Sequence, residues 1–166
     1  PVVVGMGPAG LFAALFLARN GLPPIVLERG RPVEARTRDV ERFWQTGILD
    51  PSSNVQFGEG GAGTFSDGKL TTGTHDHRIA TVFRTLAAAG APEDILWQHK
   101  PHIGTDLLRD VVKAIRLELL ELGCDVRFGH CLTGLEIRNG QLTALKAQGP
   151  QGAYDLPCDA LILAPG

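Results

Sequence analysis

Val2-Val3-Val4-Gly5-Met6-Gly7-Pro8-Ala9-Gly10-Leu11 opens the chain, a mostly apolar stretch follows to Arg19-Asn20-Gly21, and Pro24-Ile25-Val26-Leu27-Glu28 comes next. A β-branched run, a glycine-rich turn, an apolar helix stopped by Asn20-Gly21 and a second apolar run make a βαβ unit. Its right-handed crossover puts both strands parallel in one sheet. The turn satisfies GxGxxG at Gly5, Gly7 and Gly10. That pattern needs glycine for a tight bend, for backbone approach to a pyrophosphate, and for close helix–strand packing. The helix opening there offers unpaired N–H groups and the positive end of its dipole, so a diphosphate needs no Lys or Arg. Glu28 ends the second strand, near the offset of about 20 residues at which a carboxylate meets a nucleotide ribose. An acid there favours a free 2′-hydroxyl over a 2′-phosphate. The plain alternative is a glycine-rich turn beside an exposed glutamate. The sequence of strand, turn, helix, strand and acid favours a dinucleotide, FAD or NAD.

The chain has 166 residues, 43% of them hydrophobic and 20% charged, which suits one soluble domain with a real core. A net charge of -2 supplies no field for phosphodiesters or anionic lipid, so neither nucleic acid nor membrane is an expected partner. No apolar run reaches the roughly 18 to 20 residues of a membrane span, and a cytoplasmic location is expected. Cys124, Cys131 and Cys158 form no CxxC pair, so structural thiols are expected, with neither a metal site nor a dithiol relay.

Outward from the βαβ unit, Arg31 to Trp44 is charged with few apolar residues. A glycine-rich loop and helical region at about 50–104 reads as an insertion within a single unit covering 1–166. Ile79, Val82, Phe83 and Leu86 have helical spacing, and Pro92 suits the first turn of a short helix through Trp97. Thr105 is placed to cap a longer helix whose stripe Leu108, Val111, Val112, Ile115, Leu119 and Leu122 lies opposite Arg109, Lys113 and Arg116. Val126 to Phe128 follows, then two strands joined by the hairpin signal Asn139-Gly140, giving an antiparallel meander. Ala160 to Ala164 is a fully apolar strand running into Pro165-Gly166, with an exposed apolar edge expected.

Val4 to Ala14 and Val26-Leu27-Glu28-Arg29-Gly30, with a meander ahead of the strand at Leu161, resemble the FAD domain of the glutathione-reductase-type flavoproteins. More narrowly, Asn54-Val55-Gln56-Phe57-Gly58-Glu59-Gly60-Gly61-Ala62-Gly63-Thr64-Phe65-Ser66-Asp67-Gly68-Lys69-Leu70 and Lys100-Pro101-His102-Ile103-Gly104-Thr105-Asp106 resemble a family of uncharacterised FAD-dependent dehydrogenases. The resemblance implies an α/β, Rossmann-like FAD-binding fold with a parallel sheet, a β-meander crossover and a helical and loop insertion. It also implies an incomplete domain, because members of that family continue into a substrate region and a late flavin-contacting segment. The expected piece is therefore a fragment that does not turn over substrate alone. Carried over by position, Gly5, Gly7, Pro8, Ala9 and Gly10 meet the pyrophosphate and Glu28 the ribose. Arg29 flanks that site, Leu132 offers backbone to adenine, and Gly166 closes the contact at the sheet edge.

Within the long loop, Gly60, Gly61, Ala62, Gly63 and Thr64 are candidates to wrap the cofactor, since consecutive glycines let backbone amides converge on anions. Lys69 is a candidate positive charge near the flavin, and Asp67 or Ser66 a partner for the ribityl chain or ring edge. Lys69 and His102 are the catalytic candidates, weighed against a mobile loop and a satisfied loop histidine. His75-Asp76-His77 reads as a solvated turn, its i,i+2 spacing being wrong for one helix face. Arg36 and Arg38 read either as a phosphate clamp or as a solvated helix face. The expected function is an FAD-dependent oxidoreductase (dehydrogenase) acting on an unidentified small molecule, with NAD(P)H as a candidate electron donor. The competing readings are an NAD-binding dehydrogenase domain and a non-catalytic FAD- or nucleotide-binding module.

Overall fold

β1 (Val2–Val4), α1 (Pro8–Arg19) and β2 (Ile25–Glu28) form the expected βαβ unit in the computed structural model, which describes residues 1–66, 68–70 and 72–166. After it come α2 (Val33–Thr46), α3 (Ile79–Ala88), α4 (Thr105–Glu121), β3 (Asp125–Phe128), β4 (Cys131–Arg138), β5 (Gln141–Gly149), β6 (Gly152–Pro157) and β7 (Leu161–Leu163). Single turns of 3₁₀ helix occupy Ala62–Phe65 and Glu93–Leu96.

The first sheet is parallel, in the order β3-β2-β1-β7. The pleat divides its side chains between two cores. Val3 and Val26 face α1 and α4, joining Leu11, Leu15, Ile115 and Leu119. Val2, Val4 and Leu27 face the other way, onto Leu145, Ala147 and Leu156 of the antiparallel sheet β4-β5-β6. The result is helices, parallel sheet and meander in three layers, with the C-terminal ends of β1, β2 and β7 opening at one rim. The hairpin at Asn139-Gly140 has φ of 51° and 77°, both positive as a tight hairpin turn requires. β7 lies at the sheet edge, with Ile162 and Leu163 exposed. No helix among the described residues is long and apolar enough to cross a membrane.

Two sequence readings need correction. Thr105 does not cap α4; Gly104 takes the cap position and Thr105 is the first helical residue. Arg116 is not on a solvated face but 9% exposed, because Glu34 and Glu59 receive its guanidinium from outside the helix. The charged stretch after Arg31 is a 14-residue helix, and it buries Arg36 and Asp39 along with Val33 and Val40.

Candidate cofactor site

The glycine turn is built so that one position is left open. A Cβ on Gly5 would lie 2.1 Å from the Ala164 carbonyl oxygen, and one on Gly10 would lie 1.9 Å from the Gly5 carbonyl oxygen. Those two glycines serve the protein's own packing of β1, α1 and β7. Gly7 differs: an added Cβ would meet only the Gly61 Cα, at 3.8 Å. Pro8 sets the helical φ at the first position and carries no N–H, so Ala9 and Gly10 hold the first-turn donors.

Met6 joins the turn to its two partners. Its N–H donates to Glu28 Oε2 at 2.7 Å, and its carbonyl accepts from the Gly60 N–H at 2.8 Å. Glu28 Oε1 accepts from the Gly30 N–H at 2.7 Å, so the carboxylate spans the loop that follows β2. Each oxygen still has a lone pair for a further donor.

The loop facing this turn is held by charge from below. Arg36 is fully buried and donates through Nε to the Asn54 carbonyl at 2.8 Å, through Nη2 to Val55 at 2.9 Å and through Nη1 to Glu59 at 2.6 Å. It is neither a phosphate clamp nor a solvated residue; its fork is spent on loop carbonyls. Burial pulls its guanidinium down to about 10, against the pull of Glu28 and Glu59. Glu59, also fully buried, accepts from the Val33 N–H at 2.7 Å and pairs with Arg116 at 3.3 Å. Burial pushes its carboxyl up to about 7. Asp39 takes Ser53 Oγ at 2.7 Å and Arg31 at 3.0 Å, and Arg38 is exposed. Sequence spacing shows none of these clamps, since their acceptors are backbone atoms far along the chain.

Beside the joined turn and loop lies a cleft of two adjoining chambers, each about 400 Å³. Gly7, Pro8, Gly61 and Ala62 line the first, and Gly5, Arg29, His130 and Leu132 the second. Glu28, Phe57, Pro165 and Gly166 line both. Phe57 is the side chain that sequence reasoning left out of the site: the Arg29 guanidinium sits 3.7 Å from its ring centroid, forming a wall of the second chamber. A larger open concavity of about 610 Å³ lies away from the glycine turn, around His130, Tyr154 and the β5–β6 turn.

The remaining candidates fall elsewhere. Gly60, Gly63, Thr64 and Lys69 line a separate apolar cavity rather than the cleft. Lys69 and His102, both exposed, are paired backbone to backbone in an antiparallel bridge. Asp67 lies outside the described residues. His75-Asp76-His77 sits in the turn before α3, with Asp76 bound to Arg78 at 2.6 Å.

Residues 1–148 match the FAD binding domain family. The chain belongs to that family. FAD is therefore its cofactor, and a turn with Gly7 left open above a carboxylate fits that dinucleotide. An uncharacterized protein of Clostridium beijerinckii is 53% identical over all 166 residues, and the chain spans 30% of that relative's length. The fold is also that of 3-ketosteroid-delta4-(5alpha)-dehydrogenase from Rhodococcus jostii, at a TM-score of 0.62 and 14% identity, over 99% of this chain and 45% of that one. It is shared too with OxyS anhydrotetracycline hydroxylase from Streptomyces rimosus, at a TM-score of 0.55 and 19% identity, over 99% and 31% of the two chains.

Proposed function

We propose that this chain is the FAD-holding part of an oxidoreductase and that the cleft beside the Gly7 turn and the Gly58 loop seats the adenosine diphosphate half of the cofactor. The observation that carries the reading is the Cβ position of Gly7, which meets no side chain and only the Gly61 backbone at contact distance, at the edge of a cleft that Glu28 lines in both chambers. The pyrophosphate lies over Gly7, Pro8 and Ala9, where the first-turn amides and helix dipole offer positive potential, with Gly61 and Ala62 beside it. Glu28 accepts the ribose hydroxyls on its free lone pairs. Adenine enters the second chamber, against the Leu132 backbone and the Arg29–Phe57 wall.

The bound flavin supplies two-electron chemistry to an organic substrate, with NAD(P)H a candidate donor; the protein supplies position and electrostatics. Lys69 and His102, side by side through their bridge, are the candidates on the flavin side. Denaturing the purified protein and identifying the released nucleotide, then adding NADH or NADPH anaerobically to the native protein, tests this. FAD release with bleaching of the flavin band supports the reading. Released NAD would replace it with an NAD-binding domain. Flavin that no donor reduces would leave a non-catalytic module.

A further inference from the structure

Glu59 is a fully buried acid within the loop that lines the cleft. Gly58 and Gly61, which flank it, are both walls of the first chamber, and the intervening Gly60 N–H bonds to the Met6 carbonyl of the glycine turn. The backbone of Glu59 is fixed on both sides. Its N–H donates to the Arg31 carbonyl at 3.1 Å, and its carbonyl accepts from Arg36 Nη1 at 2.6 Å. The carboxyl therefore reaches water only if the loop moves.

Its two oxygens are unequal. Oε2 accepts from the Val33 N–H at 2.7 Å and meets Arg116 Nη1 at 3.3 Å, whereas Oε1 is buried with no hydrogen-bond partner among the described residues. A buried carboxylate is stabilised by donors on both oxygens, so the oxygen that lacks one is where a proton is best held. The charges acting on the group come from three elements and largely offset one another. Glu34 and Arg36 act from α2, Arg116 from α4, where Lys113 and Arg116 both pair with Glu34, and Glu28 from β2. Burial decides the balance and holds the carboxyl up at about 7, where a modest added charge changes its protonation.

The anionic diphosphate of FAD brings such a charge, and a like charge nearby disfavours a carboxylate. We infer that FAD binding is coupled to protonation of Glu59: as the diphosphate settles against the Gly58–Ala62 loop, the acid in that loop takes a proton from solvent onto Oε1. This rests on the placement of the diphosphate proposed above. Below pH 7 the acid already holds its proton and binding needs none. Above it each FAD carries a proton in, so affinity falls as pH rises through 7. The loop thereby makes retention of the cofactor weaker in alkaline surroundings.

Calorimetric titration of FAD into the flavin-stripped protein tests this, at about pH 7.5 in two buffers of different ionisation enthalpy and then from about pH 6.5 to 8.5. With Glu59 raised by about one pKa unit in the complex, the expected result is uptake of about half a proton per FAD at pH 7.5 and an affinity that falls about fivefold to tenfold across the range. His130, which lines the second chamber, is held below its usual value by burial and by Arg127, so its own proton exchange falls on the acid side. Glu59→Gln keeps the shape and stays neutral at every pH. It should bind FAD at pH 8.5 about as tightly as the unaltered protein does at pH 6.5, with no proton uptake, a gain that a misfolded variant would not show. FAD bound without proton exchange, or uptake that persists in Glu59→Gln, would overturn the inference and leave the placement of the cofactor standing. Failure of FAD to bind at any pH would overturn both.

Discussion

The Gly5–Gly10 turn and the Gly58–Ala62 loop touch and line one cleft together, yet opposite means hold them. The turn belongs to a contiguous βαβ unit: its bonds are backbone to backbone or to Glu28 nearby, and fully buried Met6 anchors it in the apolar core. The loop has little apolar anchorage of its own beyond Phe65. Buried ions on α2 and α4 shape it, with Arg36 taking carbonyls and Glu59 bridging Val33 and Arg116. A motif whose energy is local tolerates changes elsewhere. A loop whose shape hangs on buried charge fails when one charge is removed.

The largest expected effect follows. Arg36→Met strands the carbonyls of Asn54, Val55 and Glu59 and leaves Glu59 with one cation fewer, which should cost about 3–5 kcal/mol. A urea denaturation midpoint reads it. A loss under about 1 kcal/mol would mean that the clamp does not hold the loop.

The loop should also carry the pH dependence. Burial raises Glu59 from 4.5 to about 7, so between those values the folded protein holds a proton that the unfolded chain has released. Its contribution is full below pH 4.5 and is lost as pH rises through 7, on the order of 3 kcal/mol. Glu59→Gln should flatten the stability profile over that window. An unchanged slope would assign the dependence to another group.

The turn is broken by volume instead. Gly10→Ala drives a methyl into the Gly5 carbonyl and should cost about 1–3 kcal/mol in stability, with FAD lost on gel filtration. Gly63→Ala, whose added Cβ meets nothing within 4 Å, should change stability by less than about 1 kcal/mol and in the favourable direction. Thermal melts of the pair sharpen the contrast; equal losses would erase it. The smallest effect belongs to the exposed wall: Arg29→Ala removes a cation–π contact and should weaken FAD by about 0.5–1 kcal/mol in a fluorescence titration.

This division also marks what could be read from the sequence. β1, α1, β2 and the acid at Glu28 follow from local periodicity and turn chemistry, as does the hairpin at Asn139-Gly140. Gly7 and Gly10 were legible as glycines, though not the split by which Gly10 serves packing and Gly7 the open face. Arg36 and Arg116 looked like ordinary helix-surface charges, because a side chain that satisfies distant carbonyls carries no spacing signal. Phe57 stood in the quoted loop motif with no role of its own. Its role depends on Arg29 arriving above it from the end of β2. The pairing of Lys69 with His102, and the division of the loop between cleft and apolar cavity, arise from tertiary closure alone.

The placement of adenosine over Glu28, Phe57 and Leu132 is tested most directly by comparing FAD with FMN, which lacks the adenosine half, in calorimetric titrations of the flavin-stripped protein. The account predicts saturable FAD binding and FMN weaker by at least about a hundredfold, near 3 kcal/mol. FMN bound as tightly as FAD would contradict it, because the cleft beside the Gly7 turn and the Gly58 loop would then contribute nothing to holding the cofactor.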